Sequence, residues 1–257
     1  MTASYYRRSD DEDVFQSTVL TRSNWGDIQH GSPPLALLTR QLEHLIEGTG
    51  LRIARLSLDI LGAIAVAPVR VQARVLRPGR RICLLEAELF PPDSPQPAAR
   101  LSAWALTTSD TSAVASDRHA PLRRGPALPL PEWFGSDDGY LQSVRWHGQP
   151  AAPDGTAIAW LRPVVHLVDD EPTTALQRLM MVVDSANGVG ATLDARTYTF
   201  MNTDTVVHLH RLPTGSDFGL RARASIGPDG VGVTTAELFD ETGFVGTSAQ
   251  SLLVQPR

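Results

Sequence analysis

The chain has 257 residues, 42% of them hydrophobic and 20% charged, enough to bury one large core or two ordinary ones. A net charge of −5 with no basic block removes the electrostatic support that a phosphate-tracking nucleic-acid surface needs. The lone Cys83, inside the apolar stretch ICLLEAELF, excludes an internal disulfide and a multi-cysteine zinc site and fits a reducing cytoplasm as a small buried hydrophobe.

The N-terminus, MTASYYRRSDDEDVF, is polar and acidic with no apolar signal core, and nowhere do eighteen apolar residues run together. Neither secretion nor membrane insertion is signalled, and a cytoplasmic protein is expected. The first helix is expected in GSPPLALLTRQLEHLIEG. Pro33 and Pro34 suit its start, Gly48 its end, and Leu35, Leu38, Leu42 and Leu45 recur at helical spacing. A strand follows over Arg52 to Gly62, and after it Val69 to Phe90 reads as two alternating segments joined by the turn RPGR. ARLSAWALTT supplies a further strand. Between Ser109 and Trp133 the chain is rich in Pro, Ser and Ala without periodicity, as an exposed linker would be.

The same order then returns. A second helix is expected in PTTALQRLMMVVDSANG, from Pro172 with Thr173 or Thr174 to Gly188, and a strand over Asn202 to Leu212. Phe218 to Phe239 lies without a gap on Val69 to Phe90 at an offset of 149 (218 − 69), both ending Ala-Glu-Leu-Phe, with GPDG in place of RPGR. In the closing strands Ser102-Ala103 is matched to Ser248-Ala249, which sets Trp104 opposite Gln250. Each half is a helix followed by long antiparallel strands, an α+β unit whose sheet needs the helix to cover its apolar face. The domains expected are 1–110 and 140–257, with a linker over 111–139.

A duplicated unit of this kind resembles the double hotdog fold of the acyl-CoA thioesterase superfamily, in which each long helix is wrapped by a curved antiparallel sheet. The resemblance is carried by WLRPVVHLVDDEP, DSANG, NTDTVVHLHR and DETGFVGTSAQSLLV in the second half and by QHGSPPLALL in the first. It implies hydrolysis of an acyl thioester, on coenzyme A or another carrier, by a water held by Asp184, Asn202 and Gln250, with no cofactor or metal and with homodimers or larger assemblies. His30, Gly31 and Thr203 are the candidate substrate contacts, and Asn202 and Thr203 compete for the place that relatives fill with a hydroxyl residue. Strand parity sets Asn202 on the face of Val206 and His208, opposite Thr203 and Thr205, unless a bulge intervenes.

The residues themselves support a special role for Asp184. It ends the apolar run LMMVVD near a helix C-terminus, where a carboxylate opposes the helix dipole. An apolar cleft would raise its basicity while polar neighbours restrain the rise. Gln250, between Ala249 and the run SLLV, is polar where the other half is read to carry Trp104. His208 and His210 lack a third metal ligand at matching spacing, and no Gly-x-Ser-x-Gly elbow or dinucleotide fingerprint occurs. Two other readings keep the fold: a dehydratase-like lyase using His30 and Asp184, and a non-catalytic acyl-thioester-binding protein.

Overall fold

Two adjacent prolines set the start of the first helix. In a computed structural model of the chain, which describes residues 3–127 and 138–257, α1 runs over Ser32–Leu45 with Pro33 and Pro34 in its first turn. Leu35, Leu37, Leu38 and Leu42 are fully buried. The helix ends before Gly48, which takes φ +72 in the turn that follows. The second helix, α2, spans Ala175–Val183 and begins with a capping box, Thr174 accepting from the Gln177 amide while the Gln177 side chain accepts from Thr174 N–H. It stops five residues before the expected Gly188. Asp184 is its C-cap, and a separate short turn, α3 (Ala186–Val189), follows.

One mostly antiparallel sheet surrounds the helices. In chain order its strands are β1 (Ser4–Arg8), β2 (Val14–Ser17), β3 (Leu51–Ile60), β4 (Pro68–Arg77), β5 (Ile82–Phe90) and β6 (Ala99–Thr107). After the linker come β7 (Val144–Gln149), β8 (Ala157–Pro163), β9 (His166–Val168), β10 (Tyr198–Asn202), β11 (Asp204–Leu209), β12 (Phe218–Ile226), β13 (Val231–Asp240) and β14 (Gly243–Pro256). Their spatial order is β7-β8-β12-β13-β14-β11-β3-β6-β5-β4-β2-β1-β9, with β10 also on β14. Only Val164 and Val165 separate β8, second from one end of this path, from β9 at its other end, so chain continuity brings the two ends of the sheet together. The junction is a parallel pairing of β9 with β1, a strand that the polar N-terminal sequence did not announce although Tyr5 and Tyr6 are fully buried.

The repeat is visible in the hydrogen-bond register. Ala73 faces Ala87 in the β4–β5 hairpin, and 149 residues later Ala222 faces Ala236 in β12–β13. The halves join through antiparallel β3 and β11, where Ser57 faces Val206. One apolar cluster runs through both halves and includes α1 and α2.

The closing strands need a correction. Leu85 pairs with Ala103 while its counterpart Thr234 pairs with Gln250, so Gln250 corresponds to Ala103 and not to Trp104. The insertion between β5 and β6 shifts the match by one residue, and in a pleated strand that moves a side chain to the other face. Trp104 therefore lies on the outer face, half-buried.

Of the expected linker, 128–137 lies outside the described residues. His119 stacks on Phe244, and Leu122 packs on the cluster of Trp160, Phe239 and Phe244. Among the described residues no helix is long and apolar enough to cross a membrane. The 23 cationic side chains are all arginine, and the sequence contains no lysine.

Candidate active site

Asp184 leaves the last turn of α2 with its carboxylate 4% exposed. Three side chains donate to its Oδ1: Asn202 Nδ2 at 2.7 Å, Thr205 Oγ1 at 2.7 Å and Gln250 Nε2 at 3.1 Å. The donors are tied to one another, Thr205 Oγ1 accepting from Asn202 at 3.2 Å and from Gln250 at 3.1 Å. Gln250 Nε2 also reaches the Asp184 carbonyl at 3.1 Å. Its Oε1, on a side chain 1% exposed, has no protein partner among the described residues.

The strand parity expected for Asn202 does not hold, for a local reason. Asn202 pairs with Leu252 but Val206 pairs with Ala249, so one extra residue is accommodated on the β10–β11 side. That bulge, at Thr203, turns both Asn202 and Thr205 inward. Thr205 is completely buried and is the hydroxyl of the site, a residue that sequence reasoning passed over. Thr203 is exposed, bonds Asp204 Oδ1 at 3.3 Å and does not join the cluster.

The other carboxylate oxygen, Oδ2, faces the first half. A Cβ on Gly31 would stand 2.5 Å from it, so only glycine lets the backbone at the start of α1 approach this closely. His30 Nδ1 lies 3.6 Å from Oδ2. This is not an ion pair. The Ser32 N–H donates to the same Nδ1 at 3.1 Å, which fixes the proton on Nε2, and burial lowers the imidazole pKa against the upward pull of Asp184. Thus His30, Gly31, Asp184, Asn202 and Gln250 come together, Thr205 joins them, and Thr203 is left out. Tyr140 also belongs here, its ring stacked on His30 at 3.7 Å.

The α1 N-terminus has no side-chain cap. Pro33 and Pro34 carry no N–H and the Ser32 amide is used by His30, which leaves the Gly31 amide as the remaining backbone donor at this helix start. The start of α2, in contrast, is closed by its capping box and by Glu43, whose carboxylate accepts from Thr174 and Gln177. In the first half the places of Asn202, Thr205 and Gln250 are taken by Ile53, Leu56 and Ala103, all buried and apolar.

Long antiparallel strands around buried helices, with a carboxylate held between the end of one helix and the start of the other, define a protein of the hotdog class. Solved structures of like fold include a candidate thioesterase from Novosphingobium aromaticivorans (18% identity, TM-score 0.71, covering 97% of this chain and 98% of that one). Another is a hot dog fold protein of unknown function from Alicyclobacillus acidocaldarius (16%, 0.68, 96% and 95%), and a third is an acyl-CoA thioesterase II from Mycobacterium marinum (14%, 0.66, 97% and 94%). The chain belongs to the acyl-CoA thioesterase family: residues 21–106 match the model of its N-terminal domain and 114–254 that of its C-terminal domain. No curated protein is matched.

Proposed function

We propose that this protein is a double hotdog, with halves 1–110 and 140–257 joined by 111–139, that hydrolyses acyl-CoA thioesters at one active site. The observation that carries the reading is the asymmetry of Asp184: three donors converge on Oδ1, while Oδ2 points at the uncapped start of α1. Hydrogen bonds to Oδ1 orient the carboxylate and leave the Oδ2 lone pair as the base. A water between Oδ2 and the Gln250 Oε1 attacks the thioester carbonyl, giving one proton to Oδ2 as its oxygen–carbon bond forms. The negative charge on the former carbonyl oxygen is met by the Gly31 N–H and the positive end of α1. Collapse of the tetrahedral intermediate breaks the carbon–sulfur bond, and the proton returns from Asp184 to the thiolate. Free acid and thiol result, and the carboxylate is regenerated.

The test is thiol release from acetyl-, octanoyl- and palmitoyl-CoA. The wild-type chain is expected to turn over at least one of them, and Asp184→Asn to be inactive with an unchanged melting midpoint. Thiol release by Asp184→Asn at the wild-type rate would refute the mechanism, and failure of the wild type would favour a non-catalytic acyl-thioester-binding role.

The short distance from His30 to Asp184 favours one second reading, a dehydratase-like lyase. That chemistry needs a ring lone pair to take the substrate's α-proton, and the lone pair at Nδ1 is occupied by the Ser32 amide. Water release from a 3-hydroxyacyl-CoA, lost in His30→Ala, would establish it over hydrolysis.

A further inference from the structure

We propose that Tyr140 is a positioning residue of this site, fixing the spacing between the start of α1 and the end of α2 through its hydroxyl and the His30 ring through its face. The proposal rests on the hydrolase reading above for its kinetic consequence, but its geometry stands by itself.

Tyr140 opens a short 3₁₀ turn and is completely buried. Its backbone N–H donates to Arg22 O at 2.9 Å, and the preceding Gly139 takes φ +127 against the same carbonyl. That anchors it to the segment leading into α1. The hydroxyl lies 2.9 Å from Met181 O, 2.8 Å from Ser185 Oγ and 3.3 Å from Ser32 Oγ. Its one proton is shared between two acceptors, the Met181 carbonyl and Ser32 Oγ, and its lone pairs accept from the Ser185 hydroxyl. Met181 O is among the last carbonyls of α2, which lack a partner within the helix. These partners bracket the chemistry: Met181 and Ser185 flank Asp184, and Ser32 follows Gly31.

The ring does a second task. It lies 9° from parallel to His30 at 3.7 Å, and Tyr5 stacks beside it with centroids 6.2 Å apart. Burial, together with the charge of Asp184, raises the phenol pKa well above its ordinary value, so the hydroxyl stays a donor. The stacked ring holds His30 flat, with Nδ1 toward the Ser32 amide, and covers one face of the imidazole, whose pKa burial lowers. A shift of about 1 Å between reacting groups can cost on the order of 100-fold in rate, which is the leverage such a hub has.

The experiment compares wild type, Tyr140→Phe, Tyr140→Leu, Ser185→Ala and the Tyr140→Phe/Ser185→Ala double variant in the full-length chain. Thiol release from the acyl-CoAs above is measured well below every melting midpoint. Tyr140→Phe is expected to lower kcat about 10-fold with KM within about 2-fold, and the double variant to lose no more than Tyr140→Phe alone. An unchanged kcat in Tyr140→Phe, or fully additive losses, would overturn the hydroxyl's role. The His30 ring is followed independently by ¹⁵N–¹H correlation spectra. Tyr140→Phe should keep the Nε2–H tautomer, whereas Tyr140→Leu should move the His30 titration up toward an ordinary imidazole. An identical titration in Tyr140→Leu would overturn the ring's role. If wild type releases no thiol, the hydrolase reading fails, and the His30 titration still decides whether Tyr140 holds that ring.

Discussion

Gly31 is the residue whose side chain matters most by being missing. Its φ of −64 is ordinary for any amino acid, so an alanine there would meet no backbone strain, only the Asp184 carboxylate. Gly31→Ala should therefore keep the fold and push Oδ2 out of line. A loss of about 100-fold in kcat is expected, read by thiol release alongside the melting midpoint. Gln250→Ala should cost about 10-fold to 1000-fold in turnover, because it removes a donor to Asp184 and the acceptor proposed for the water. Trp104→Phe, on the outer face, should leave turnover close to wild type; equal losses in the two variants would contradict a direct role for Gln250 at Asp184. At this scale the sequence was informative where chemistry is unusual, as with Asp184 at the end of an apolar run. Thr205 was hidden because its facing depends on one extra residue at Thr203, and threonine in a strand is unremarkable.

Strand ends and turns carry a second kind of information. Asp240 closes β13 and ties its turn to the 211–214 segment. Arg211 forks onto both carboxylate oxygens at 2.6 Å, and Thr214 and Thr242 each donate an amide and a hydroxyl. Burial pushes the carboxyl pKa up, but Arg211 and the threonine donors outweigh it and hold the pKa well below the usual range. A depressed native pKa gives stability that is present above the unfolded value of about 3.9 and lost as pH falls through the native one. Asp240→Asn should destabilise the protein by roughly 3 kcal/mol at neutral pH. In urea unfolding the gap to wild type should shrink as pH drops below about 4; a constant gap would show that the carboxylate charge is irrelevant. The elements themselves were mostly legible, because leucine periodicity, prolines at helix starts and Pro/Gly hairpin turns are local signals. The break of α2 at Asp184 was not, since Ser-Ala-Asn gives no strong stop before Gly188. The pairing of β1 with β9 depends on chain closure, which local pattern does not encode.

At the scale of the whole molecule, the two halves share one apolar cluster, and β3 and β11 are each other's neighbours at the centre of the sheet. Residues 140–257 expressed alone would expose the β11 edge and the side of α2 that packs on α1. They are expected to be unfolded or aggregated by circular dichroism and light scattering, and a cooperative, monomeric melt of that fragment would show the halves to be independent. The duplication was readable because both hairpins kept Ala-Glu-Leu-Phe in the same register. Its asymmetry was misplaced by one residue because a loop insertion cannot be positioned without the sheet.

The absence of lysine takes on a chemical meaning beside a thioester. An acyl thioester transfers its acyl group to unprotonated primary amines as well as to water, and lysine Nζ is the usual accidental acceptor. Arginine, whose guanidinium stays protonated, provides the positive charge of this surface without offering that nucleophile. The one primary amine in the chain is its N-terminus, so prolonged exposure to an acyl-CoA should add at most one amide-linked acyl group, a limit that intact-protein mass spectrometry reads directly.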